Sequence, residues 1–199
     1  KNHNIRPIAL YLPQFHPIPE NDEWWGKGFT EWTNVVKAKP LYEGHVQPRI
    51  PSDLGYYDLR SPEVREKQAE LARNHGIHGF CYYHYWFGYG KQLLERPFNE
   101  VLESGRPDFP FMICWANETW KGVWHGAANG QILMEQKYPG RNDYILHFKH
   151  LLKAFQDPRY ITINDMPAFY VYRPLKIPDL SLFVDTFRES AYKAGLKGL

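Results

Sequence analysis

The sequence predicts an α/β protein, the N-terminal part of a (β/α)8 TIM-like barrel with parallel strands and covering helices. Three observations predict it. Short apolar runs alternate with stretches of helical periodicity, the pattern of parallel strands joined by crossover helices. The segment after the first run, Pro13 to Arg60, is long and loaded with aromatic residues, and loops of that length in a compact domain usually carry function. No glycine-rich phosphate turn follows the first run, where a doubly wound nucleotide-binding sheet would place one.

The elements follow in order. Pro7–Leu12 (PIALYL) reads as the first strand. Ser61-Pro62 supplies an N-cap and a helix-opening proline. Val64, Gln68, Leu71, Ala72 and His75 then share one helical face, and Gly76 closes the helix. Ile77–Tyr83 (IHGFCYY) is the second strand, and a second helix is expected over Leu93–Ser104, stopped by Gly105. Phe109–Trp115 (FPFMICW) is the third strand. From Asn142 onward Tyr144, Ile145, Phe148, Leu151, Leu152 and Phe155 recur at helical spacing, and Asp157-Pro158 ends that helix. Tyr160–Ile163 is a short extra strand before an Asn164-Asp165 turn. Ala168–Tyr172 (AFYVY) is the fourth parallel strand. Leu180, Phe183, Val184, Phe187 and Ala191 mark the last helix, ended by Gly195, and Leu196–Leu199 reads as the approach to a further strand. A complete barrel needs ~250 residues. Residues 1–199 are therefore expected to be the front half, partnered by the remaining half of the barrel in the same chain or a second copy.

Composition narrows the function. A hydrophobic content of 43% marks a folded chain rather than a disordered one. The net charge of +2 supplies no basic stripe, so no nucleic-acid partner is expected. No apolar run reaches the ~18–20 residues that cross a bilayer, so no membrane span is expected. Cys81 and Cys114 each sit in an apolar run and read as buried free thiols, with no zinc spacing. The unusual quantity is 17% aromatic residues, including 7 Trp. Flat aromatic faces suit cores, and they also suit sugar rings.

In a barrel the active site lies at the C-terminal ends of the strands. Trp24, Trp25 and Trp32 fall in the first such loop, Trp86 after the second strand, and Trp115, Trp120 and Trp124 at or after the third. All of them fall on the expected ligand side, where indole faces complement the axial C–H groups of a pyranose. The bland alternative is that some only pack the long loop onto the barrel. Glu118, in Trp115-Ala116-Asn117-Glu118-Thr119-Trp120, leaves the third strand beside Asn117 and two indoles. It is placed to donate a proton to a glycosidic oxygen or to grip a hydroxyl; the alternative is a structural glutamate held by backbone amides. Glu31, in Gly28–Asn34, is the second candidate, and Glu20, Asp22 and Glu23 are expected to face solvent. His16 and His84 follow the first two strands and are expected at the same mouth, at a spacing unlike HExxH, so no metal is expected. His125 is a weaker candidate, and His147 and His150 are expected on the surface of the third helix. The expected catalytic residues are Glu118 and Glu31. The expected sugar contacts are His16, Trp25, Trp32, Tyr83, His84, Trp86, Trp115, Asn117 and Trp120.

The segments LYLPQFHPIPEND, WWGKGFTEWTNV, GFCYYHYWF and WANETW, in that order, resemble the WbsX-type domain. That domain was named as a polysaccharide-biosynthesis glycosyltransferase and is similar to glycoside hydrolase family 99, the endo-α-mannosidases with a (β/α)8 barrel. The resemblance covers essentially the whole chain. It implies a carbohydrate-active barrel that takes an oligo- or polysaccharide substrate and uses no metal or organic cofactor. In family 99 the paired catalytic glutamates lie in the later half of the barrel, so no catalytic pair carries over onto this chain. The roles of Glu118 and Glu31 rest on placement. The expected function is a glycoside hydrolase acting on α-linked glycans. The alternatives are a glycosyltransferase of surface-polysaccharide (lipopolysaccharide O-antigen) assembly and a non-catalytic sugar-binding barrel fragment.

Overall fold

The computed structural model describes residues 5–122 and 130–199. Trp124 and His125 lie outside the described residues.

The apolar run that opens the chain forms β1 (Ile8–Tyr11). The long segment after it contains two short helices. Pro19 opens α1 (Pro19–Trp25), where its missing N–H costs nothing. The second is α2 (Glu31–Lys37), at whose start the Thr30 N–H donates to Thr33 Oγ1 at 3.3 Å. The helix α3 (Pro62–Asn74) begins as expected: Ser61 Oγ accepts from the Val64 N–H at 3.4 Å. β2 (Gly79–Trp86) runs past Tyr83 to Trp86, because its end folds back and pairs antiparallel with β3 (Gln92–Leu93). That hairpin holds Leu93, so α4 (Arg96–Ser104) starts later than expected. β4 (Phe111–Trp115) follows, then the antiparallel pair β5 (Trp120–Lys121) and β6 (Ile132–Met134). After α5 (Arg141–Phe155) comes a hairpin of β7 (Thr162–Ile163) and β8 (Met166–Pro167). Its turn residues Asn164 and Asp165 have φ of 52° and 62°, the left-handed pair that a two-residue hairpin of this hand requires. β9 (Phe169–Val171) leads to α6 (Leu180–Lys193), which is capped by Asp179 Oδ1 accepting from the Leu182 N–H at 2.9 Å.

β1, β2, β4 and β9 are parallel neighbours in the order of the chain. The register places Tyr11 beside Tyr82, His84 beside Trp115 and Trp115 beside Val171. Alternation then sorts the side chains into two faces. One face meets the helices throughout. Tyr11 donates its hydroxyl to Gln68 of α3 at 2.6 Å, and Tyr82 packs on Phe98 of α4 at 5.2 Å. His84 meets His147 of α5, and Trp115 meets Phe183 of α6 at 5.3 Å. A doubly wound sheet reverses its strand order and places helices on both faces. Sequential order with a one-sided helix layer is a sector of a (β/α) barrel.

The helix-side core is an aromatic network in which Phe148, Phe155, Phe169, Phe183 and Phe187 interlock at centroid distances of 4.4 to 5.9 Å. Each fully buried ring of this size contributes about 1.5–3 kcal/mol. On the opposite face Cys81, Met112 and Cys114 of the middle strands are buried, both cysteines as free thiols. On the same face of the outer strands, Leu10 is 62% exposed and Tyr170 60%. No helix among the described residues is long and apolar enough to cross a membrane.

Candidate active site

A cleft of about 450 Å³ opens at the C-terminal ends of the strands. Its wall is assembled from every βα connection in turn. The loop after β1 contributes Leu12 and Gln14, α1 contributes Asn21 and Trp25, the turn after α1 adds Phe29, and α2 adds Glu31 and Asn34. Tyr83 and Tyr85 project from β2 into it. Ala116, Glu118, Thr119, Trp120 and Lys121 follow β4, and Leu133 and Tyr172 complete the lining.

Local packing fixes these groups. Tyr85 accepts from Gln14 Nε2 at 3.0 Å, and burial pushes its phenol well above the usual range. Trp120 stands edge-on to Tyr85 at 5.0 Å and to Phe87 at 5.6 Å. Thr119 Oγ1 accepts from the Gln136 N–H at 3.0 Å, which ties the turn after β4 to the segment after β6. Asn117 is buried and works as a clamp. Its Nδ2 donates to the Arg173 carbonyl and to the Tyr138 hydroxyl, each at 2.9 Å, and its Oδ1 accepts from the Arg173 N–H at 2.8 Å. The ends of β4 and β9 are thereby pinned together. Above the clamp Arg173 Nε donates to Glu118 Oε1 at 2.8 Å. Glu31 is the first residue of α2, where the helix dipole favours a negative charge.

Of the residues expected from sequence, the structure brings Trp25, Glu31, Tyr83, Glu118 and Trp120 to one cleft. The expectation that Trp32, Trp86, Trp115, Asn117, His16 and His84 share it is corrected; Asn117 is 1% exposed, with its amide taken up by the clamp. His84, Trp86 and Trp115 lie at the right end of the sheet but on its helix side. Trp86 is 2% exposed, donates Nε1 to Asp143 at 3.0 Å and stacks on His147 at 4.6 Å. Trp115 is 1% exposed and donates Nε1 to the Trp86 carbonyl at 3.0 Å. His84 Nε2 lies 2.9 Å from His147 Nε2. Burial lowers the His84 pKa to about 3, with His150 acting in the same direction. The expectation that His147 lies on the surface is also overturned: it is fully buried in the core, because its position on α5 faces β2 rather than solvent. Trp32 braces the long loop, donating Nε1 to the Tyr57 carbonyl at 2.8 Å and packing on Phe15 at 4.6 Å. His16, 1% exposed, borders a separate pocket of about 230 Å³ together with Ile18, Glu20, Gln92 and Arg96. Burial lowers its pKa against the opposing pull of Asp58.

Sequence reasoning missed Gln14, Tyr85, Lys121, Tyr172 and Arg173. The available signal was period two: Tyr85 shares a strand face with Tyr83, and Tyr172 and Arg173 end the fourth strand as Glu118 follows the third. No group of three His, Cys, Asp or Glu among the described residues is placed to hold a metal ion.

The family model described as Glycosyltransferase WbsX matches residues 7–199. The uncharacterized protein WxcX of Xanthomonas campestris pv. campestris, in strains B100 and ATCC 33913, is 47% identical over 172 residues, which is 86% of this chain and 24% of WxcX. The chain thus spans about a quarter of the length of the curated relatives it matches. Two structures of a GH99 endo-alpha-mannosidase from Bacteroides thetaiotaomicron are also similar. One, in complex with BIS-TRIS-propane, has a TM-score of 0.49 at 13% identity and covers 85% of this chain and 42% of its own. The other has a TM-score of 0.42 at 17% identity and covers 84% and 45%.

Proposed function

The chain belongs to the glycosyltransferase WbsX family, and from that premise we propose that it forms one wall of the active cleft of an enzyme that hydrolyses α-linked glycans. The observation that carries the reading is that two carboxylates, Glu118 and Glu31, line one cleft with two indoles and three tyrosines, Trp25, Trp120, Tyr83, Tyr85 and Tyr172. Glycoside hydrolysis needs that combination. One acid protonates the departing glycosidic oxygen as the C–O bond breaks. A carboxylate takes the proton of the water that adds to the anomeric carbon. Aromatic faces hold the apolar side of the ring while charge develops. In this reading Glu118 and Glu31 are the acid–base groups of this wall, and Gln14, Asn34 and Thr119 supply polar partners for sugar hydroxyls.

A transferase reading is favoured by the description of the family itself. It shares the anomeric carbon as the reacting centre and differs in the leaving group. The two are separated by incubating the full-length protein with α-mannan oligosaccharides and, separately, with nucleotide sugars plus acceptor glycan. New reducing ends from the first are expected. Sugar transfer in the second, with no reducing ends in the first, supports the transferase instead.

A further inference from the structure

We propose that Arg173 is a positioning residue for Glu118, occupying one carboxylate oxygen so that the other is presented to bound sugar. The inference rests on the proposed reading of the cleft and deepens it. Arg173 Nε donates to Glu118 Oε1 at 2.8 Å. Its guanidinium carbon lies 5.2 Å over the ring of Tyr172, which itself lines the cleft. The side chain is thus held between an aromatic face and the carboxylate. Its backbone is fixed on both sides, since Asn117 donates to the Arg173 carbonyl and accepts from its N–H.

The arrangement is hard to explain by stability. Both side chains of the ion pair are about half exposed, at 52% and 44%, and exposed ion pairs contribute little to folding. Yet a buried asparagine commits two hydrogen bonds to the main chain of this arginine and so fixes where its side chain begins. Preorganisation of a reacting carboxylate accounts for that expense, because a catalytic group must be held in a narrow geometry by neighbours that are themselves fixed. A planar guanidinium fits this task better than an ammonium, whose point charge fixes no direction. The clamp uses only main-chain atoms of Arg173, so side-chain substitutions leave it in place.

The test uses the full-length protein with an α-mannan oligosaccharide as probe. Arg173→Gln and Arg173→Ala are expected to lower kcat by about 10²-fold, the scale of a misplaced catalytic group, with KM within about threefold and an unchanged melting temperature. Arg173→Lys is expected to recover part of kcat. Added guanidinium ion at sub-denaturing concentration is expected to raise the turnover of Arg173→Ala and not that of Glu118→Gln. In the double variant, Arg173→Gln is expected to add no further loss to Glu118→Gln, as befits two residues acting as one unit. Wild-type turnover together with an unchanged kcat in Arg173→Gln overturns the positioning role and leaves the functional reading intact. Full additivity in the double variant overturns it as well. A wild-type protein that neither binds nor cleaves the probe overturns the functional reading, and the proposal with it.

Discussion

His84 Nε2 and His147 Nε2 lie 2.9 Å apart in the buried layer between β2 and α5. One ring must donate and the other accept, so the two cannot both be charged, and burial favours the neutral form of each. Trp86 stacks on His147 at 4.6 Å, and the His150 ring lies 5.8 Å from that of His84. The charged groups nearby are Asp143, which is taken by Trp86 Nε1 and the Tyr89 N–H, and Glu95, which acts on His150.

A pH dependence follows. Burial lowers the His84 pKa to about 3, and it also drives that of His147 well below the ordinary value. An unfolded histidine titrates near ~6.5. The unfolded chain therefore binds more protons below that pH, and stability is lost as pH falls from about 6.5 toward 3. Each buried ring contributes a slope of up to ~1.4 kcal/mol per pH unit. Urea unfolding between pH 8 and 4.5 should show a plateau and then a decline. His147→Phe should flatten the decline; an unchanged slope in that variant contradicts the assignment.

Trp86 and Trp115 should behave as core residues. Asp143→Ala leaves the Trp86 indole N–H and the Tyr89 N–H without an acceptor, at about 1–3 kcal/mol. Trp86→Ala should cost about 3–5 kcal/mol. Calorimetry should record both losses, while glycan affinity of the folded variants stays at the wild-type level. Weaker glycan binding at unchanged stability would return Trp86 to the cleft.

Trp120 should behave in the opposite way. It lines the cleft, so Trp120→Ala should weaken glycan binding about two- to tenfold, the range of one aromatic contact. Trp32→Ala, which unpicks the Phe15–Trp32–Tyr57 cluster, should lower the melting temperature more than the affinity. Isothermal titration of both variants separates the two roles, and an inverted result exchanges them.

The exposed positions of the two outer strands give a fourth expectation. Leu10 and Tyr170 point away from the helices on the two outer strands and are largely exposed. We propose that the rest of a barrel covers them. Residues 1–199 expressed alone should self-associate through this face and its open strand edges. Leu10→Ser with Tyr170→Ser should reduce the association. A monodisperse wild-type monomer with full activity contradicts the half-barrel account.

The alternation of strands and helices was legible in the sequence because Ser61-Pro62, Gly76, Gly105 and the Tyr144–Phe155 periodicity are local signals that tertiary contacts did not override. The carboxylate after the third strand was legible for the same reason: Glu118 follows an unmistakable apolar run. Sidedness was not. Strands of a parallel sheet buried on both faces read as continuous apolar runs, and in GFCYYHYW nothing separates Tyr83 and Tyr85, which face the cleft, from His84 and Trp86, which face α5. Tryptophans sorted only by loop therefore placed Trp86 and Trp115 at the right height and on the wrong side. His147 was misjudged because a polar residue in an amphipathic helix reads as solvent-facing unless its partner, here His84 on another element, is known. The place of Arg173 after the fourth strand was legible, but its pairing with Glu118 was not, since that link crosses from one βα unit to the next.

The central claim is that the cleft at the ends of β2 and β4 performs acid–base chemistry on a glycan through Glu118. Its most direct test is kcat/KM of the full-length Glu118→Gln variant on an α-mannan oligosaccharide, measured beside its thermal stability. The side chain is about half exposed and its ion pair with Arg173 contributes little to folding, so the amide should leave the fold unchanged. The account predicts a fall of at least ~100-fold, the lower bound for a general acid–base group, with the melting temperature preserved. An unchanged kcat/KM would remove Glu118 from the chemistry and contradict the account.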